Sequence, residues 1–203
     1  GWEDGKFIIA LDHAFQANVY NRLDRNLLMK LQNEVDNDFL LNKNYRNPKV
    51  LSKRASSIVG DDEIEATRVL VSPPHYHTFP QEDGEKIDAL NKEITKLLDK
   101  GVKSGDITVL TFKKRRASIL FGKNGLGQHR LIDVKKVLGS DDNIFEELTW
   151  STISSFKGLE NDYIFLIEGD GIKMSDWYRT LVYVAITRTK TEFHYFGNPE
   201  DEA

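Results

Sequence analysis

The chain has 203 residues, 39% hydrophobic and 30% charged, a balance that suits one sizeable globular domain or one domain plus a fragment of another. Lys and Arg number 28 against 32 Asp and Glu, a net charge of −4, so any nucleic-acid contact must come from a local cluster or from backbone amides rather than an overall basic field. The absence of cysteine excludes disulfides and thiolate metal sites and fits a reducing cytoplasm, and apolar runs such as Leu181 to Ile186 are too short to span a bilayer.

In chain order, Phe7 to Leu11 is a short apolar run closed by Asp12, the pattern of a buried parallel strand. Residues 21–35 place Leu23, Leu27, Leu28, Leu31 and Val35 at helical spacing. Pro48 starts a helix that runs to about Val59, with Asn47 as its expected N-cap. Arg68 to Ser72 reads as a strand stopped by Pro73 and Pro74. Residues 85–100 put Ile87, Leu90, Ile94, Leu97 and Leu98 on one helical face, with Gly101 after the end. Ile107 to Phe112 is a buried strand, and the basic run Lys113 to Arg116 then opens a helix. Strands recur around Trp150 to Ser154, Tyr163 to Ile167 and Glu192 to Phe196, with a helix over roughly 175–188. Such alternation predicts an α/β fold, a mostly parallel sheet with helices on both faces. Ligand loops of parallel sheets sit at the carboxyl ends of the strands, and the candidate motifs are expected there or at the helices that follow.

Three segments carry phosphate-directed chemistry. In Thr152-Ile-Ser-Ser-Phe-Lys-Gly-Leu-Glu160 a strand ends in the hydroxyls of Thr152, Ser154 and Ser155, and the chain turns through Lys157 and Gly158. Hydroxyls and free N–H groups at such a turn hold phosphate oxygens, and a glycine admits close backbone approach. Taken alone it is also an ordinary connection with an exposed lysine. In Leu181-Val-Tyr-Val-Ala-Ile-Thr-Arg188-Thr-Lys190 an apolar helix end delivers Arg188. Its guanidinium can grip a phosphate with two parallel N–H bonds, as an arginine finger does, or simply cap the helix C-terminus. Asn44-Tyr-Arg-Asn-Pro48 sets the flat face of Tyr45 beside the charge of Arg46 at a helix start.

Taken in chain order, 44–48, 152–160 and 181–190, the three segments resemble the motifs of the second motor domain of UvrD/Rep-type superfamily-one helicases, in its compact UvrD-like C-terminal form, over roughly residues 38–203. The resemblance implies a RecA-like three-layer domain over residues 26–203. It makes residues 1–25 the residual end of a first motor domain. It assigns Tyr45 to stacking on adenine, and Arg46 and Arg188 to the γ-phosphate as catalytic arginines. Gly158 and Glu160 fall to the nucleotide, and Thr152, Ser154, Ser155 and Lys157 to the nucleic-acid strand. Asp12, Gln16 and Tyr20 resemble the strand and loop whose glutamine senses the γ-phosphate. The commoner pattern leads three acidic residues directly into that glutamine, whereas His13-Ala-Phe15 intervene here. ATP and Mg2+ are the implied cofactors. Single-stranded or duplex DNA is the implied partner, with RNA also compatible.

A P-loop needs Gly-x-x-x-x-Gly-Lys-Ser/Thr, and the Gly-richest stretch, Gly122 to Gly127, continues into Gln128 and His129 instead. It reads as a surface turn. ATP and Mg2+ would therefore require a P-loop domain beyond these residues, and the chain alone is expected to be inactive. Arg46 and Arg188 should lie at one edge of the sheet, facing a common solvent-open surface. The alternative is a non-catalytic RecA-like module that binds nucleic acid or protein. A nicotinamide-binding domain ranks below both, because no glycine fingerprint follows a strand. His75 and His77 have i, i+2 spacing but no evident third ligand, so a loop with two solvated histidines is the better reading. Lys113 to Arg116 is either a phosphate-backbone contact or a solvated face.

Overall fold

A computed structural model describes residues 24–34, 43–60, 65–68, 72–137, 146–170 and 175–197. The expected strand Phe7 to Leu11 and the assignment of Gln16 lie outside the described residues. The helix expected over 21–35 is α1 (Arg25–Glu34), capped by the Asp24 carboxylate, which accepts from the N–H groups of Asn26 and Leu27. Leu27, expected on its buried stripe, is 55% exposed.

β1 (Lys43–Pro48), expected only as a helix entry, pairs in parallel with β2 (Glu65–Arg68); the strand expected from Arg68 to Ser72 meets β2 at Arg68, and residues 69–71 lie outside the described residues. α2 (Lys49–Val59) follows at once and ends at Gly60, whose φ of 74° is the left-handed conformation a helix terminus needs. Asn47 is not its N-cap. The capping position is Pro48, with no side-chain bond, and the Asn47 side chain is turned toward the end of another helix.

The main sheet has seven strands. They are β3 (His75–His77), β4 (Ile107–Thr111), β5 (Gly125–Leu126), β6 (His129–Asp133), β7 (Leu148–Thr152), β8 (Asn161–Ile167) and β9 (Thr189–Phe196), in the order β3-β9-β8-β4-β7-β6-β5. Every pairing is parallel except the small β5–β6 hairpin; the stretch Gly122 to Gly127, expected as a surface turn, contributes β5 and buries Leu126. α3 (Asp83–Asp99) covers one face through Leu90, Ile94 and Leu97, which pack with Ile107, Val109, Phe165 and Trp150. α2 and α5 (Asp176–Thr187) cover the other, where Leu51, Ala55 and Tyr178 to Ile186 meet Leu110, Ile164, Leu166 and Phe193. These are the three layers the alternation predicts. A short helix, α4 (Val134–Val137), follows β6.

α5 is buried on nearly every side from Tyr178 to Thr187, as an almost wholly apolar helix must be. Tyr178 stacks on Phe112, with ring centroids 4.7 Å apart, and its hydroxyl meets that of Tyr195 at 2.7 Å. The basic run does not open a helix. It forms a 3-10 turn at Arg115–Ala117, where Arg115 donates to Asp133 at 2.7 Å. Lys113 pairs with Glu168 at 3.1 Å, and of this run Lys114 and Arg116 are the most exposed. Among the described residues, no helix is long and apolar enough to cross a membrane.

Candidate nucleotide and strand site

The connection between β7 and β8, residues 153–160, crosses over β4 without a long helix. It makes a 3-10 turn at Ser154–Phe156 and buries Ile153 and Phe156 in the core, with Leu159 packed against it. The motif therefore starts at the carboxyl edge of the sheet and ends at the amino edge. Thr152 closes β7, while Glu160 immediately precedes β8 and Arg188 immediately precedes β9. The expectation that these groups sit at carboxyl ends or at the helices that follow is corrected for Glu160; Arg188 does end a following helix, α5, but at the amino edge of the sheet. A short crossover has to deliver its last residue to the start of the next parallel strand.

At the amino edge three distant segments meet. The Arg46 Nε donates to Glu160 at 2.8 Å, and Lys190 approaches the other oxygen of the same carboxylate at 3.4 Å. Arg68 donates to the Arg46 carbonyl at 3.3 Å. The Asn47 carboxamide donates to the carbonyls of Thr187 at 3.1 Å and Thr189 at 2.7 Å, with Ile186 at 3.4 Å, so it grips the chain on both sides of Arg188. Its own oxygen accepts from the Asn44 amide at 3.0 Å, and the Asn44 oxygen accepts from the N–H groups of Arg46 and Asn47. Asn161 fastens the other side. Its N–H donates to the Arg188 carbonyl at 3.1 Å, and its side chain donates to the Gly105 carbonyl and the Thr108 hydroxyl, both at 2.9 Å.

Arg46 and Arg188 thus belong to one edge, but Arg188 is only 5% exposed and does not face a solvent-open surface. Its N–H caps α5 by bonding back to Val184 and Ala185. Burial of the helix it terminates explains the difference. Tyr45, next to Arg46 in β1, is 71% exposed.

At the carboxyl edge the Thr152 hydroxyl accepts the Ser155 N–H at 3.2 Å and meets the Ser155 hydroxyl at 2.9 Å and the Ser154 hydroxyl at 3.4 Å. These hydroxyls close the turn locally. Lys157 and Gly158 are exposed, and Gly158 has φ 89° with open space where a Cβ would stand. Glycine is needed there for its backbone conformation, not for packing inside the domain. Also at this edge, Glu168 is 1% exposed and accepts from the Thr111 and Ser118 hydroxyls and the Ile119 N–H, at 2.6, 2.7 and 3.2 Å. Partial burial works against the charge of Lys113, but the hydrogen bond and attraction of Glu168 prevail and raise its pKa.

Sequence reasoning overlooked Lys190, Arg68, Asn161 and the clamping role of Asn47. Lys190 stands two residues after Arg188, where a second cation was available as a signal. Nothing local marks the other three.

No family model matches the chain, and no curated protein matches it. Among solved structures, the C-terminal domain of a possible DNA helicase from Lactobacillus plantarum WCFS1 is similar with a TM-score of 0.57. The match covers 75% of this chain and 86% of that one at 12% sequence identity. The likeness is one of fold: the chain shares the mostly parallel, three-layer α/β architecture of that helicase domain.

Proposed function

We propose that this chain is the second motor domain of an ATP-dependent DNA helicase or translocase of the UvrD-like kind. One observation carries the reading. Segments 44–48, 160–161 and 186–190, far apart in sequence, converge on one sheet edge and set Arg46 and Lys190 around the single carboxylate of Glu160, with Arg68 bonded to the Arg46 carbonyl. In a protein of net charge −4 this is a local excess of positive charge of the kind an anion-binding edge requires.

In this reading Tyr45 stacks on the adenine, and Arg46 and Arg188 approach the γ-phosphate. Glu160 holds Arg46 and Lys190 in place until phosphate oxygens compete for them. The P-loop lysine and the Mg2+ ligands come from a separate P-loop domain, and Mg2+ supplies charge neutralisation on the phosphates. Thr152, Ser154, Ser155 and Lys157 face the nucleic-acid strand from the opposite edge, with Gly158 giving close access to the backbone. Residues 1–25 would belong to the first motor domain.

The chain alone is expected to hydrolyse ATP no faster than buffer, since arginines without a P-loop cannot assemble the reaction geometry. Steady turnover by the purified chain, lost on Arg188→Ala, would overturn this. Joined to its P-loop domain, Arg46→Ala and Arg188→Ala should each lower kcat by about 10³-fold, the scale of an arginine finger, with strand binding retained. A second reading, a non-catalytic binding module, draws on the ion pairs by which Glu160 already engages Arg46 and Lys190. That reading expects strand or protein binding with no nucleotide dependence and no effect of either arginine on turnover.

A further inference from the structure

The β3 edge of the sheet gathers three histidines and a glutamate from two strands. His75 lies opposite His194 in the β3–β9 register, and the period of two along each strand puts His75 and His77 on one face with Glu192 and His194. The expectation of two solvated loop histidines is therefore corrected: both are in a strand, and a third ring joins them. His75 and His77 stack on His194, with centroids 4.6 and 5.3 Å apart, and Phe165 packs on His194 at 4.3 Å.

His194 is 4% exposed. Its Nδ1 lies 3.1 Å from His77 Nε2, while its own Nε2 is buried with no hydrogen-bond partner and lies 3.5 Å from a Glu192 oxygen. His75 Nε2 is 3.6 Å from that same oxygen, and the ligand atoms of His75, Glu192 and His194 all fall within 4.8 Å of one another. If His194 Nδ1–H donates to His77, the orphaned Nε2 carries the lone pair a metal needs, and His77 acts as the group that orients the ligand.

We infer that His75, Glu192 and His194 form a binding site for a divalent transition metal of the zinc class, which fastens the short edge strand β3 to β9. Metal–nitrogen bonds of about 2.0–2.1 Å in a tetrahedron place ligand atoms about 3.4 Å apart, close to the two spacings onto Glu192. Two imidazoles and one carboxylate select zinc, nickel or copper over magnesium or calcium. The half-buried His75 ring, now within 17° of parallel to His194, must tilt to converge on the ion. In doing so it exchanges the Ser72 hydroxyl, 2.8 Å from its Nε2, for the metal. A water completes the fourth position.

The test uses the whole chain without an affinity tag, stripped by a chelator. Co2+ is the spectroscopic probe, Zn2+ is titrated by calorimetry, and Mg2+ is the control. The expected result is one equivalent of Co2+ with visible absorption bands, displaced by Zn2+, and a higher melting temperature with Zn2+ but not Mg2+. His75→Gln and Glu192→Gln, both at partly exposed positions, should keep the melting temperature of the metal-free protein and weaken Zn2+ binding by at least about 10-fold. His77→Gln should weaken it by about 10-fold or more through loss of the orienting bond. Binding only at millimolar Zn2+, or binding of undiminished strength in the His75→Gln/Glu192→Gln double variant, would overturn the proposal.

Discussion

Glu168 holds a backbone φ of 64°, the one described residue other than glycine with a positive φ. It stays there because its carboxylate collects two hydroxyls, one N–H and the Lys113 ammonium in a site closed to water. Glu168→Ala should destabilise the protein by about 3 kcal/mol, because several buried donors lose their acceptor together. Glu168→Gly loses the same bonds but relieves the left-handed strain, so it should be the milder change by about 1 kcal/mol. Chemical denaturation of the two variants separates the terms, and equal losses would show that the φ stores no strain. Nothing in the sequence marks this glutamate. It looks like a polar residue after a strand, and only the return of the 111–119 segment over it supplies its partners.

At the scale of elements, Asn47 is the link between β1 and the end of α5. A helix C-terminus leaves carbonyls without intrahelical partners, and the Asn47 carboxamide satisfies those around Arg188. Asn47→Ala should cost about 1–3 kcal/mol by leaving buried carbonyls unpaired. Asn47→Asp, which puts an acceptor against acceptors, should cost more. Thermal melts measure both, and a neutral Asn47→Ala would mean that packing alone fixes the helix end. α3 was legible from apolar periodicity with Gly101 marking its end, α2 from the proline at its start, and α5 from its apolar run. β1 was not legible, since its residues carry no period-2 alternation, and neither was β3, a three-residue strand made of two histidines and a tyrosine. Both exist because a partner strand lies beside them.

For the molecule as a whole, the crossover 153–160 separates two surfaces: the cluster of hydroxyls in residues 152–157, which the proposed function assigns to the nucleic-acid strand, begins at one sheet edge, and the cationic group around Glu160 lies at the other. Charge changes at the two edges should therefore have distinct signatures. Under the proposed function, with the chain joined to a P-loop domain, Lys157→Ala should reduce the salt slope of single-strand binding by about 0.7, the loss of one phosphate contact. Arg46→Ala should leave that slope unchanged and act on turnover. Fluorescence anisotropy over a salt series checks this, and an equal effect of both variants on the slope would mean that the two edges contact one ligand.

The sequence by itself determined the α/β class, the main helices and the order of three motif segments, because apolar period and turn residues are local properties. It also limited the Arg188 side chain to two readings, a phosphate ligand or a helix cap; in the fold the residue ends α5 through its backbone N–H, a bond that does not choose between them. Only the tertiary structure decided which edge each motif occupies, that Glu160 engages Arg46 and Lys190, and that His194 completes a cluster with His75 and Glu192. Those facts depend on strand order, since parallel neighbours such as β3 and β9 bring together residues more than 100 positions apart, and no local pattern encodes that pairing.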